Sequence, residues 1–539
     1  MANIEKPFSD HESIISTTAL STADFVNEDE LTLWQAVSKW RKVVLYCVGL
    51  NSAVLLYGYD QAIVGSVSGL PAFQRDFGEL MAGKIILPSL WLGLWNVGTP
   101  IGVMIGAVIG GWFQDRVGRR WSLSTGSVIA AMGIAVMFTC FVSDEVLTRR
   151  ALFLAGKLVQ GLGIGMIMST TQTWMSEVLP PLLRGPVLSF LSIFTLLGQL
   201  IGAIVVFTSL DLPGRKSYTV CFASQWPFSI ATLAMAFFLP ESPTYLIRKD
   251  KIDLAHKAQT RLNEPNAHTE SIVEGLRIFI QEERKTSHST YIDCFKGQNF
   301  RRTMIVVFSC VIPQTFGLTL LAKASYFLQV VGMKAKTSVM MVIVGIIVGL
   351  AANIASFWTL SQFGRRTLIL ISLSLSAVLW TAAGIAGCFS GTITVWYTAT
   401  TLMVVILVNG LGSWPASSVV ASEVSTLHLR AKSQGIGWFT NGLVAGVMGF
   451  VLPYIFNPDK GDLKAKTGFV YGGMGAIAVV VTWFIVPEMK GRNWIEIDRL
   501  FDERVSARNF ERSGGGNTVD SGVTFDKGVD GEERGEKGL

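Results

Sequence analysis

Charge is scarce in this chain. Of its 539 residues only 16% are Asp, Glu, Lys or Arg, while half are hydrophobic. A large soluble helical protein would carry more charge and fewer long apolar runs, so that class is set aside. Histidine is rarer still, with five copies, and the six cysteines include no CxxC pair. Cys47, Cys140, Cys221, Cys294, Cys310 and Cys388 mostly fall in apolar runs, as small buried hydrophobes do, rather than in a disulfide framework or metal site. No nucleophile–base pair, metal-ligand cluster or phosphate loop stands out, so neither an enzyme nor a bound metal or cofactor is expected. A basic stripe interleaved with aromatics is missing too, and the net charge of +6 is small for this length, so nucleic acid is not an expected partner. The first forty or so residues lack the basic-then-apolar layout of a cleaved signal, which leaves insertion to the first apolar span.

What is present is a succession of apolar runs that reach the ~20 residues a bilayer requires. Twelve candidate spans lie near 43–64, 88–112, 121–142, 151–173, 186–207, 220–239, 303–331, 338–358, 366–386, 393–417, 434–454 and 468–486. The expected fold is all-α and membrane-integral. The organisation reads as an N-terminal tail (1–42), a six-helix half (43–240), a short helical linker (241–302), a second six-helix half (303–487) and a C-terminal tail (488–539) whose Gly-, Glu- and Lys-rich end has the composition of a disordered segment. On span two Gly102, Gly106, Gly110 and Gly111 recur at helical spacing, which allows close helix approach.

A charge pattern is written twice at one distance. Glu177 precedes Arg184 by seven residues, and Glu423 precedes Arg430 by seven; the copies are 246 apart (423 − 177). Gly118-Arg119-Arg120 recurs as Gly364-Arg365-Arg366 at the same interval (364 − 118). Two homologous helical halves around one central path is an architecture of secondary transporters. Basic residues concentrate in alternate loops: Arg116, Arg119 and Arg120 after span two, Arg184 after span four, Arg365 and Arg366 after span eight, Arg430 and Lys432 after span ten. The positive-inside rule then makes those loops, and both termini, cytoplasmic.

Gly111-Trp-Phe-Gln-Asp115-Arg116-Val-Gly118-Arg119-Arg120 joins spans two and three. Its charges can bridge neighbouring helix ends as a gate, with Glu177 and Glu423 as partners at the same level; the plainer alternative is topogenic charge. This motif matches GGxxxDRxGRR, Pro240-Glu241-Ser242-Pro243-Thr-Tyr-Leu246 matches PESPxxL, and Pro487-Glu488-Met-Lys490-Gly491-Arg492 matches PETKGR. Glu177-Val-Leu-Pro180-Pro-Leu-Leu-Arg184-Gly185 matches ExxPxxxRG. Together, over roughly residues 43 to 502, the chain resembles the sugar porter family of the major facilitator superfamily. Glu423 to Lys432, Pro453 to Pro458 and Lys466 to Phe469 make it most similar to fungal α-glucoside (maltose-type) permeases. The resemblance implies the major facilitator fold, a gate to which Glu241 and Glu488 also contribute, and a location in the plasma or the vacuolar membrane, with the plasma membrane expected. The second turn motif carries Ser361 where the first has Asp115, so the two gates are expected to differ.

Asp60 lies within span one, where a carboxylate costs roughly 2.5–3.5 kcal/mol unless paired or protonated. The family couples protons through the matching aspartate and an arginine of span four; Lys157 occupies that arginine's position here. The Asp60–Lys157 pair is expected to titrate as a unit; a structural ion pair or a snorkelling Lys157 are the alternatives. For the substrate the resemblance points to Ser192 and Gln199 on span five, Gln314 and Thr319 on span seven, Asn409 and Trp414 on span ten, and Trp438 and Asn441 on span eleven, with helix packing an equal alternative for each. The family's span-seven amides are only partly kept, since Gln314 survives alone. Lys323 replaces a tyrosine of the outer gate. It could close that gate against Asp60, bind an acidic substrate, or snorkel.

The leading functional expectation is therefore a monomeric, proton-coupled transporter of a sugar, a hexose or an α-glucoside such as maltose. Its partners would be the small-molecule substrate, protons and the lipid bilayer. A porter or exporter of a non-sugar (an organic acid or secondary metabolite) is the alternative. A transport-dead sugar sensor ranks last.

Overall fold

The computed structural model describes residues 33–81, 84–262, 269–286, 290–389, 391–426, 429–490, 492 and 494–510. The N-terminal tail up to residue 32 and the tail beyond residue 510 lie outside the described residues.

Eleven helical segments among the described residues are long and apolar enough to cross a membrane. Spans one to five are the helices Arg41–Val67, Ser89–Val117, Arg119–Thr139, Val146–Val178 and Pro181–Ser209. Span six is built from two pieces, Lys216–Ala223 and Trp226–Phe238. Spans eight and nine are Ala335–Gln362 and Arg365–Ala386; span ten bends at Gly412 between Thr392–Leu411 and Ser413–Glu423; spans eleven and twelve are Arg430–Phe456 and Thr467–Ile485.

Span seven, expected as one run near 303–331, is broken twice, into Gly297–Thr315, Leu318–Ala322 and Ala324–Val331. Pro313 sits inside the first piece and offers no N–H to the helix ladder. Gly317 then turns the chain with φ of +94°, a left-handed value that glycine adopts without strain. Trp380 of span nine donates its indole N–H to the freed Phe316 carbonyl at 2.9 Å, so the break leaves that acceptor satisfied.

Small residues let the helices meet backbone to backbone. A Cβ on Gly106 would lie 2.0 Å from the Leu162 carbonyl oxygen, and one on Gly165 would lie 2.2 Å from that of Val103, which locks spans two and four. Gly58 and Gly198 do the same for spans one and five. Gly111, expected in this stripe, faces open space instead. It lies one residue past Gly110, so the helical repeat turns it about 100° away from the contact.

Between the halves, Pro243–Arg248, Ile252–Leu262 and Thr269–Thr286 form short helices around a small core of Tyr245, Leu246, Ile247, Ala255, Ala258, Val273 and Ile280. A last helix, Trp494–Asp502, docks on the start of span seven: Asp498 accepts from Arg302, and Arg301 donates to the Val505 carbonyl at 2.8 Å. At the end opposite the arginine-rich hairpins, strands Glu79–Met81 and Lys84–Ile86 pair as a small antiparallel hairpin.

Candidate functional site

The spans bring Asp60 and Lys157 together across 97 residues of sequence. Lys157 Nζ lies 2.5 Å from Asp60 Oδ1, and each side chain is 1% exposed. Glycines make this approach possible. Gly156 faces Met137 of span three, Gly161 lies on Thr99 of span two, and the Lys157 Cβ itself covers Gly98. The second carboxylate oxygen, Asp60 Oδ2, is buried with no hydrogen-bond partner among the described residues. A buried acceptor of that kind is costly to leave unpaired.

Amides sit on several of the spans. Gln199 donates to Gln61 Oε1 at 3.4 Å, and Gln61 faces Tyr57 one turn earlier on span one. Gln160 donates to Gln225 at 2.6 Å behind it. Gln314 accepts from the Thr319 hydroxyl at 2.6 Å, a bond that spans the helix break in span seven. Lys323 caps the last piece of that span. Its Cα lies where a Cβ on Gly65 of span one would be only 2.5 Å away, so the two halves touch at this point.

The remaining expected ligands are dispersed. Ser192 is exposed, two turns from Gln199 on the same helix. Asn409 is fully buried and committed to packing: it donates to Ser376 and the Val405 carbonyl and accepts from Ser413. Trp414 packs on the core, Asn441 is half-buried and Trp438 is 62% exposed. Tyr57, Gln61 and the Gln160–Gln225 pair did not emerge from the motifs. Gln61 directly follows Asp60 in the sequence, and that adjacency was the available signal.

At the arginine-rich end the duplication extends to individual hydrogen bonds. Arg119 grips Glu177 with two bonds of 2.7 and 3.1 Å and also reaches Asp115 at 3.3 Å. Glu241 accepts the backbone N–H groups of Arg119 and Arg120 at 2.9 and 3.3 Å, capping span three. In the second half Glu488 accepts from the N–H groups of Arg365 and Arg366 at 2.9 and 3.1 Å, and Arg365 pairs with Glu423 at 3.2 Å. Arg120 donates to the Phe237 carbonyl and Arg366 to that of Trp483, again 246 apart (483 − 237). Ser361 turns back onto the Trp358 carbonyl, so Arg365 has no counterpart of the Asp115 bridge. Arg116 lies over the Trp112 ring, and Arg119 lies 4.7 Å from the centre of the Tyr245 ring. Burial and the nearby Glu241 push the Tyr245 phenol above its ordinary range. The side chains of Arg184 and Arg430 lie outside the described residues.

The opposite end holds hydrogen bonds that join the halves. Asn457 donates to the Leu87 carbonyl at 2.8 Å and to Ser89, while Tyr326 donates to Asn457 Oδ1 at 3.0 Å. Asp459 accepts from the Ser89 N–H at 2.8 Å and from its hydroxyl, and Gln74 donates to Gln329 at 3.3 Å. Spans two and eleven pack along one flank, where Asn96 donates to the Gly449 carbonyl at 3.1 Å.

The chain as a whole is similar to known proteins. MFS transporter fmqE of Aspergillus fumigatus is 29% identical over 534 residues, which is 95% of this chain and 97% of that protein. The general alpha-glucoside permease of Saccharomyces cerevisiae is 28% identical over 517 residues, 93% of this chain and 82% of that protein. The inward open structure of the xylose transporter XylE from E. coli superposes with a TM-score of 0.69 at 18% identity, covering 85% of this chain and all but 1% of that one. The major facilitator fold, the membrane-integral character and the resemblance to fungal permeases are thereby borne out. A family profile described as Sugar (and other) transporter matches residues 46–501, and this multi-pass membrane protein belongs to that family.

Proposed function

We propose that this chain moves a sugar together with a proton across the membrane, its two halves rocking about a site at their interface. The observation that carries the coupling is the buried Asp60–Lys157 pair with Asp60 Oδ2 unclaimed among the described residues. A proton arriving at that oxygen cancels the carboxylate charge, releases Lys157 from its partner, and loosens span one from span four. The sugar reading draws on the family and on relatives that include an alpha-glucoside permease. Chemically it draws on the amides of Gln61, Gln199 and Gln314, which can bond vicinal hydroxyls in pairs.

The arginine-rich end is taken as cytoplasmic, with both termini on that side and the protein acting as a monomer in the plasma membrane. The bonds joining the halves at the opposite end then close the outer face, and the site opens inward. Outward opening requires Asn457 and Asp459 to release span two.

The test is uptake in yeast cells deprived of their own sugar permeases. Addition of maltose or glucose should alkalinise the medium, and an uncoupler should stop accumulation. Uptake that persists undiminished with the gradient collapsed would refute the coupling. An absence of uptake of any carbohydrate, beside transport of a non-carbohydrate organic acid or secondary metabolite, would favour the non-sugar alternative.

A further inference from the structure

Lys323 is a second basic side chain beside the Asp60–Lys157 pair, and the pair does not engage it. It stands on span seven where that span lies against Gly65 of span one, five residues beyond Asp60. Its side chain is half-buried, with part of its surface left accessible. Among the described residues no hydrogen bond or ion pair engages its ammonium. The nearest charged influences on it are Lys157 and Asp60, and Asp60 is already paired.

Formal charges at this spot are two lysines against one carboxylate, an excess of one positive charge in a poorly solvated place. A lone cation there is stabilised by an anion or by losing its proton. Lys323 also caps the eight-residue half-helix Ala324–Val331, whose dipole adds positive potential at the same point. Close by, Tyr57, Gln61 and Gln199 present a hydroxyl and amides suited to polyols.

We infer that the cargo is a sugar acid, a polyhydroxylated molecule bearing one carboxylate, and that Lys323 binds that carboxylate while the amides hold its hydroxyls. This inference rests on the transport reading above and specifies its substrate class. While Asp60 is ionised, one carboxylate brings the local charge count to zero. A phosphate ester, with close to two charges, would overshoot it.

Full-length protein in lipid nanodiscs, titrated with D-glucuronate, D-glucose and glucose 6-phosphate, tests this by intrinsic fluorescence or calorimetry. Glucuronate should bind at least ~10-fold more tightly than glucose and more tightly than the phosphate. In Lys323→Met that preference should fall below ~3-fold. In Lys323→Arg, which keeps the charge, it should survive. Equal binding of glucuronate and glucose to the unaltered protein overturns the inference and leaves sugar transport standing. So does tighter binding of the phosphate, or a preference that persists in Lys323→Met. If neither sugar binds, the sugar-transport reading falls and this inference falls with it. Should Lys323→Met fail to fold, the glucuronate-to-glucose ratio of the unaltered protein decides.

Discussion

Ser89 and Asp459, 370 residues apart in sequence, are joined at the start of span two: the Ser89 N–H donates to Asp459 Oδ2 at 2.8 Å and its hydroxyl to Oδ1. Asp459 thus acts as an N-cap supplied by the other half of the molecule. A cap of this kind is worth about 1 kcal/mol. Asp459→Ala should shift the population toward the state open at this end by about fivefold, the factor that corresponds to ~1 kcal/mol. A cysteine placed at Ser325, buried beside this junction, with Cys388 removed, reports it through its rate of reaction with an impermeant maleimide. An unchanged rate would mean the bond does not hold the end closed.

The Asp60–Lys157 pair is expected to be strongly coupled. Lys157→Met strands a buried carboxylate and should destabilise by about 3–5 kcal/mol, whereas the double change with Asp60→Asn should recover much of that loss. Thermal unfolding of the purified protein reads both. In cells Asp60→Asn should abolish uphill accumulation while leaving exchange of sugar across the membrane. Additive losses in the double variant would show that the two residues act separately.

The two gates should respond unequally. Arg119 is 2% exposed and held by Glu177 and Asp115, while the Arg365 side chain is 20% exposed and, among the described residues, pairs with Glu423. Arg119→Ala should therefore cost several kcal/mol and Arg365→Ala about 1 or less. Ser361→Asp, which restores the missing carboxylate, should add up to ~1 kcal/mol. Melting temperatures of the three variants check the order.

Packing between spans two and four gives a sharper contrast. Gly106→Val places a side chain 2.0 Å from the Leu162 carbonyl oxygen and should prevent recovery of monodisperse protein. Gly111→Ala, five residues on, meets nothing within 4 Å and should behave as wild type. Size-exclusion profiles after detergent extraction distinguish them.

Much of this molecule was legible in its sequence. Apolar run length marked the spans because a bilayer demands it, and the interval of 246 residues marked the duplication, which reappears in the Arg120–Phe237 and Arg366–Trp483 bonds. Asp60 drew attention because a carboxylate inside a span needs a partner, and Lys157 is where the resemblance put one. The break in span seven was not legible, because one proline and one glycine in an apolar run also fit a continuous kinked helix. Nor were the roles of Asn409 and Asp459. A buried amide reads alike whether it meets a ligand or Ser376, and the partner of Asp459 lies 370 residues away. Periodicity reports which face of a helix is apolar, not which distant helix it will meet.

Arg119 and Arg365 close their circuits inside their own halves. Arg119 reaches Glu177 and Asp115, and Arg365 reaches Glu423. Each six-helix bundle therefore carries these ion pairs with it, as a ship carries its own ballast. A full transport cycle then breaks neither of these ion pairs, and the resistance to turnover falls on the bonds that cross between the halves, among them Ser89–Asp459, Asn457–Leu87, Asn96–Gly449 and the Lys336–Asp211 ion pair.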